Sequence, residues 1–314
     1  MARAERRATT PFAPPPAGSE RFETVAPAKI NLYLHVVGRR DDGYHRLDSL
    51  IAFAGTGDRI TVAAADDGLS LASRGPFAAA VPTGADNLAL RAATALKTLA
   101  GHPGGASITL DKALPVAAGI GGGSADAAAV LRALVRLWRL DLDPEALARL
   151  ALSLGADVPA CLRGGAASVA GIGEWITPAP SLPPAHLLLV NPAEPLSTQA
   201  VFAARSGSFS APAPITEAMP DATALAQALA RRRNDLEAAA ISLCPAVGAV
   251  LAAIAAAEGC LLARMSGSGA TGFGLFAAAD EAADAGRRIG ARHPGWWVAT
   301  APLLNDIVTA RSTV

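Results

Sequence analysis

A run of glycines at the mouth of an alanine-rich segment constrains this chain more than any other feature. Residues 115–132 read PVAAGIGGGSADAAAVLR, with Gly119, Gly121, Gly122 and Gly123 ahead of Ser124, Ala125 and Asp126. Glycine lets backbone approach a ligand closely and adopt positive φ. The residues beyond, through Leu131, Leu134 and Leu137, combine helical spacing with strong helix formers. The stretch therefore reads as a loop that opens a helix. Such a junction points unpaired backbone N–H groups, and the positive end of the helix dipole, at whatever occupies the loop; phosphate is the natural occupant. The alternative is a glycine-rich turn with a helix cap at Ser124 or Asp126.

Two better-known phosphate loops do not fit. A Walker A loop ends in Gly-Lys-Ser/Thr, whereas Ser124 and Ala125 follow Gly123. A dinucleotide fingerprint needs glycine or alanine where Ser124 stands. Gly267, Gly269 and Gly272 do complete a G-x-G-x-x-G, but Phe273 to Phe276 continue it as a strand and not as the required helix.

Bulk properties narrow the function class. The 314 residues are enough for two domains, and 27 basic side chains balance 27 acidic ones. A neutral chain is a poor non-specific binder of nucleic acid or acidic membrane, so small-molecule ligands are expected. The clusters at Arg231–Arg233 and Arg287-Arg288 read as solvated helix faces. Cys161, Cys244 and Cys260 are scattered and odd in number, which fits a reducing, cytoplasmic setting and offers no zinc pattern. The most apolar run, 246–257, is shorter than the ~20 apolar residues of a membrane span. Residues 1–20 carry Arg3, Arg6 and Arg7 and then several prolines, without an apolar leader core; they read as a disordered tail.

In order along the chain, 23–37 is β-rich toward its end and contains Lys29 and Asn31, two apart and so on one face of a strand. Taken alone, Lys29 reads as a surface lysine. Asp41-Asp42-Gly43 signals a turn, and Asp58 to Val62 a further strand. Asn87 caps a helix expected over 88–99, and 107–110 is a short strand that leads through Lys112 to the glycine loop. A second helix starts at Pro144 and ends at Gly155. Asp157, just beyond it and before Pro159, reads as a cap for the next turn. The proline-rich 178–184 is the best domain boundary. A strand over 186–190, a helix opened by Ser197 or Thr198, a loop over 206–222, helices near 234–241 and 245–257, strands at 261–265 and 273–276, a helix over 280–292 and a strand over 297–301 complete an α+β pattern.

Six blocks now stand in a fixed order: APAKIN at 26–31, DGYH at 42–45, PVAAGIGGGSADAA at 115–128, GADVP at 155–159, ND at 234–235 and MSGSGAT at 265–271. Together they resemble the GHMP kinases, the small-molecule kinases named for galactose, homoserine, mevalonate and phosphomevalonate. The triple glycine, DGYH and GADVP select the branch that acts on a cytidine-diphosphate-linked methylerythritol. The resemblance spans roughly 24–310. It implies two α+β domains, 21–178 for ATP and 179–314 for substrate, with the active site between them and the last strand returning to the first domain. It implies ATP and Mg²⁺ as cofactors and phosphorylation of the substrate's 2-hydroxyl.

By the same resemblance, Asp157 is the catalytic base and Lys29 its partner. Asn31, Tyr44, His45 and Phe202 meet the substrate, the last three at its cytosine. Asn87, Lys112, Pro115, Gly119, Gly121, Gly122, Gly123, Ser124 and Ala125 hold ATP, and Gly267 to Ala270 support the substrate end. Phosphoryl transfer asks a protein for positioning, charge stabilisation and a proton acceptor, all present in this set. Ala125 stands where many relatives have a second serine, and 116–118 is poorer in glycine, so the Mg²⁺ ligands stay open. Two rivals remain: another GHMP kinase with homoserine or mevalonate as acceptor, against which DGYH and Phe202 argue, and an inert nucleotide-binding regulator, against which Lys29 and Asp157 argue.

Overall fold

The computed structural model describes residues 20–307 and the backbone of Arg311–Thr313. The tail expected over 1–20 lies outside the described residues except for Glu20. In chain order the elements are β1 (Arg21–Arg39), β2 (His45–Ala65), β3 (Leu69–Arg74), α1 (Leu88–Ala100), β4 (Gly105–Asp111), α2 (Gly122–Leu137), α3 (Pro144–Leu154), α4 (Val158–Arg163), β5 (Ala167–Gly171), β6 (Trp175–Pro178), β7 (His186–Asn191), α5 (Thr198–Ala204), α6 (Ala222–Ala230), α7 (Glu237–Leu243), α8 (Ala246–Ala255), β8 (Leu262–Met265), β9 (Gly272–Phe276), α9 (Ala279–Arg292), β10 (Trp297–Leu304) and β11 (Arg311–Thr313). The helices anticipated from caps and periodicity are found within a few residues. Sequence analysis passes over β3, β6 and α6, and gives α4 only as a turn.

One long hairpin, β1 with β2, is the spine of the molecule. Its register runs from Arg21 opposite Ala63 to Arg39 opposite His45, and the turn falls on Asp41–Gly43. The outer edge of β2 is shared by three partners: β5 along 47–51, β10 at 53–54 and β4 along 59–65. Because β10 also pairs with β7, the sheet continues through β7, β9 and β8. Pieces distant in sequence are thus joined on a single strand.

β1 breaks register with β2 between Pro27 and Lys29 and between Asn31 and Tyr33. Proline has no N–H for the ladder, and bulges change which backbone groups face outward. The outward groups of β1 are then taken by loops. Lys29 N–H donates to Ile120 O at 2.9 Å, and Asn31 N–H to Ser266 Oγ at 3.1 Å. Past the second bulge, Leu34 N–H donates to Arg233 O (3.1 Å), and Asp235 N–H returns a bond to Leu34 O (2.8 Å). An edge that would otherwise be open is therefore covered by the loops that build the functional site.

Helix α2 lies against this spine. Its face Ala125, Ala127, Ala128, Ala129, Val130, Leu131, Ala133 and Leu134 is buried against β1, β2, α1 and α4. Small alanines let helix and sheet approach closely. That brings the N-terminus of α2 to the bulged part of β1.

Candidate active site

Two glycine turns interlock beside β1. In the first, Ala117, Gly119 and Gly121 have φ of 54°, 73° and 63°, and Gly121 is the N-cap of α2. The first helical bond runs from Ala125 N–H to Gly121 O at 2.8 Å. The N–H groups of Gly122, Gly123 and Ser124 therefore lack intrahelical acceptors and form the donor set expected for phosphate. Gly122 and Gly123 already have helical backbone; the left-handed conformation falls on Gly119 and Gly121.

The second turn, 266–270, packs on the first. Ser266 Oγ donates to Gly119 O (3.1 Å) and Thr271 Oγ1 to Ala118 O (2.7 Å). A Cβ at Gly119 would lie 2.4 Å from Gly269 O, so backbone meets backbone with no space for a side chain. Asn234 clamps the turn from behind, its Nδ2 donating to Met265 O and Gly267 O, both at 2.8 Å. The ND block was visible in the sequence; its task was not.

Lys29 and Asp157 meet at the mouth of the loop. Lys29 Nζ is 3.0 Å from Asp157 Oδ2, with side-chain exposures of 6% and 47%. Lys29 is thus no surface lysine. Asp157 precedes α4 but makes no side-chain cap bond, so the capping expectation fails. Its carboxylate faces a cleft of about 1020 Å³ bordered also by Asn31, Gly119, Gly121, Gly122, Gly123 and Ser124. Asn31 Nδ2 is bound to Ser49 Oγ at 2.8 Å, while its buried Oδ1 has no partner.

Four residues assigned to ATP from the resemblance lie outside that lining. Asn87 spends its side chain on α1, accepting from Ala89 N–H (2.9 Å) and Leu90 N–H (3.3 Å) and donating to Pro82 O (3.0 Å). Its neighbour Leu88 reaches the cleft instead. Pro115 stands at the entry to the loop, and Ala125 is buried within α2. The Lys112 ammonium lies beneath the loop, bonded to Asp58 Oδ2 (2.5 Å) and Asp126 Oδ2 (2.7 Å). Against burial, which disfavours its charge, the Asp126 and Asp58 carboxylates hold Lys112 above its ordinary value.

The far end of the cleft is aromatic. His45 and Phe202 stack with ring centroids 5.2 Å apart and planes 25° apart, and the exposed Tyr44 lines the same cleft. Burial, then the nearby cations Arg39 and Arg205, push the His45 imidazole below its usual value. Sequence reasoning placed Ser268 in the second glycine turn and Thr198 at a helix start but missed their link: the two hydroxyls are 2.8 Å apart and tie α5 to that turn. Ser197 takes the capping role at α5 and leaves the Thr198 hydroxyl free for that link.

A cradle of free amides, a Lys–Asp pair and an aromatic end in one cleft describe a small-molecule phosphotransferase. Comparison with known proteins agrees. Residues 87–165 match the GHMP kinases N terminal domain and residues 215–294 the GHMP kinases C terminal domain. The chain belongs to the GHMP kinases. It is 57% identical over 284 residues to a protein of Paramagnetospirillum magneticum named 4-diphosphocytidyl-2-C-methyl-D-erythritol kinase, across 90% of this chain and 99% of that one. A crystal structure of 4-(cytidine 5'-diphospho)-2C-methyl-D-erythritol kinase superposes with a TM-score of 0.75 at 38% identity, covering 88% of this chain and 98% of that one. A homoserine kinase from Cytophaga hutchinsonii, 18% identical, shares the fold with a TM-score of 0.68 over 97% of this chain and 100% of its own.

Proposed function

We propose that the chain is an ATP-dependent kinase that phosphorylates the 2-hydroxyl of 4-diphosphocytidyl-2-C-methyl-D-erythritol, a step of isoprenoid precursor biosynthesis by the non-mevalonate route. The observation that carries this reading is the Lys29–Asp157 pair in one cleft with the N-terminal amides of α2 and the His45–Phe202 stack. Residues 21–178 are read as the nucleotide half and 179–314 as the substrate half. The enzyme is read as cytoplasmic, in keeping with three free thiols. Among the described residues no helix is long and apolar enough to cross a membrane.

In the mechanism, Asp157 accepts the proton of the attacking hydroxyl. The hydroxyl oxygen bonds to the γ-phosphorus, the bond from that phosphorus to the β-γ bridging oxygen breaks, and ADP leaves. Lys29 orients the Asp157 carboxylate and offsets charge at the attacking oxygen. The amides of Gly122, Gly123 and Ser124 receive phosphate oxygens without reorganisation at the moment of reaction. Among the described residues no group of three His, Cys, Asp or Glu side chains is placed to hold a metal ion. Mg²⁺ is commonly bound through substrate phosphates and would neutralise their charge there. Asn31, which borders the cleft, is read as a contact of the acceptor.

Phe202→Ala tests the substrate assignment. Base–aromatic stacking is worth about 1–3 kcal/mol, so affinity for the cytidine substrate should fall roughly five- to 150-fold. ATP affinity should stay within a few-fold, because the phosphate amides lie at the other end of the cleft. Substrate and ATP dissociation constants, measured together with the melting temperature, separate the cases. An unchanged substrate constant in a stably folded variant would remove Phe202 from the pocket; a large drop in melting temperature with both ligands bound poorly would make it a packing residue.

A further inference from the structure

Beneath the glycine loop lies a group of charges that the mechanism above does not use. Asp58 from β2, Lys112 after β4 and Asp126 in the first turns of α2 meet there, with side-chain exposures of 0%, 3% and 5%. Asp58 is fully occupied: Oδ1 accepts from Ala113 and Leu114 N–H at 2.7 and 2.8 Å, and Oδ2 from Lys112. Asp126 is not. Its Oδ2 takes Lys112, while its Oδ1 is buried without a partner. Two carboxylates against one ammonium leave an excess negative charge in the interior unless a proton is bound, and a buried unpaired charge is costly.

The cluster touches the phosphate loop directly. A Cβ at Gly122, the first residue of α2, would lie 3.2 Å from Lys112 Nζ and 3.8 Å from Asp58 Oδ2. The surrounding elements bring little else that titrates. From α4 comes the buried Cys161, whose thiol burial pushes up to about 12. From β1 comes Lys29, turned away to Asp157. The buried face of α1 is Ala89, Ala92, Ala93 and Leu96. Burial pushes Asp126 up to about 7, with the Asp58 carboxylate raising it further and Lys112 opposing.

We propose that Asp126 is a proton-binding positioning residue for the nucleotide: it takes up a proton when the phosphates of ATP settle on the loop above it. The reasoning is electrostatic. A polyanion at the N-terminus of α2 disfavours a second negative charge a turn below, so bound ATP favours the neutral carboxyl. Asp126 is then a neutral carboxyl, and Lys112 stays paired with Asp58. The sign follows. In the free protein Asp126 ionises as pH rises through neutrality, so above that point binding must either take up a proton or proceed against the extra charge. Affinity for ATP therefore falls with rising pH, by about tenfold for each unit by which ATP raises the Asp126 value.

The inference rests on the loop's being the phosphate site, and the experiment keeps the two apart. Mg·ATP is titrated calorimetrically into the full chain between pH 6 and 9, in pairs of buffers with different ionisation enthalpies. Expected is uptake of a fraction of a proton, largest just above neutrality, and an affinity that falls about three- to tenfold across the range. In Asp126→Asn the uptake vanishes and the affinity becomes flat with pH. Absence of ATP binding in the folded wild type would sink the phosphate-loop reading. Binding without uptake, or uptake that persists in folded Asp126→Asn, would overturn the role given to Asp126. If that variant fails to fold, carboxyl ¹³C titration of the wild type decides: one buried Asp resonance must titrate near neutrality and move to higher pH with Mg·ATP, and its absence contradicts the proposal.

Discussion

Asp157→Asn should fold, bind ATP with nearly wild-type affinity and lose about 10²- to 10⁴-fold in kcat, the usual worth of a positioned general base. The carboxylate is half exposed at the cleft, caps no helix and supports no neighbour except Lys29, so its loss leaves the architecture intact. Asparagine keeps the shape and can still contact the Lys29 ammonium, but it cannot take a proton from the acceptor. A steady-state assay paired with ATP calorimetry reads both halves of this expectation. Turnover within a few-fold of wild type would remove Asp157 from the chemical step. A parallel collapse of ATP affinity would make it a nucleotide ligand.

Gly121→Val should damage nucleotide binding itself. Gly121 is the N-cap of α2 at φ 63°, where a β-branched side chain is strained. Its added Cβ would meet Lys29 Cβ at 3.1 Å, tighter than ordinary packing. Left-handed strain and overpacking cost together about 2–4 kcal/mol, or roughly 30- to 700-fold in affinity if the loop must keep its shape to bind. The alternative open to the chain is to unwind the first turn of α2, which discards the amides that hold phosphate. Gly123→Ala is the control, because a Cβ there meets nothing within 4 Å. Calorimetry with ADP, alongside circular dichroism, checks the pair. Equal affinities for the two variants would mean the loop does not cradle phosphate.

The glycine loop, Lys29, Asp157, Tyr44 and His45 could be picked out because each sits in a short block of the family pattern, and the structure brings them, with Phe202, to one cleft. Helices α1 and α3 were legible from Asn87 and from Asp143-Pro144, and α2 from its spacing, although its N-cap is Gly121 and not Ser124 or Asp126. What the sequence hid was long-range. Lys112 reads as a nucleotide contact; its pairing with Asp58, 54 residues earlier, and Asp126, 14 residues later, cannot be read from the sequence. Asn87 reads both as the cap of α1, which the structure shows, and as a nucleotide ligand, although its side chain lies outside the cleft lining. The task of Asn234 depends on the bulge after Asn31, which turns the outward groups of β1 toward residues 233–235. No local propensity encodes where the bulges fall on a strand, or which loops then cover its edge.

The most direct measurement offers the purified chain Mg·ATP with one acceptor at a time: 4-diphosphocytidyl-2-C-methyl-D-erythritol, homoserine or mevalonate. ADP release is followed, and the product is located by ³¹P NMR. The account predicts ADP formation with the cytidine substrate and a new phosphomonoester on its 2-oxygen, with the other two acceptors near background. Equal or faster turnover of homoserine or mevalonate, or no transfer to any acceptor by a protein that binds ATP, would contradict it.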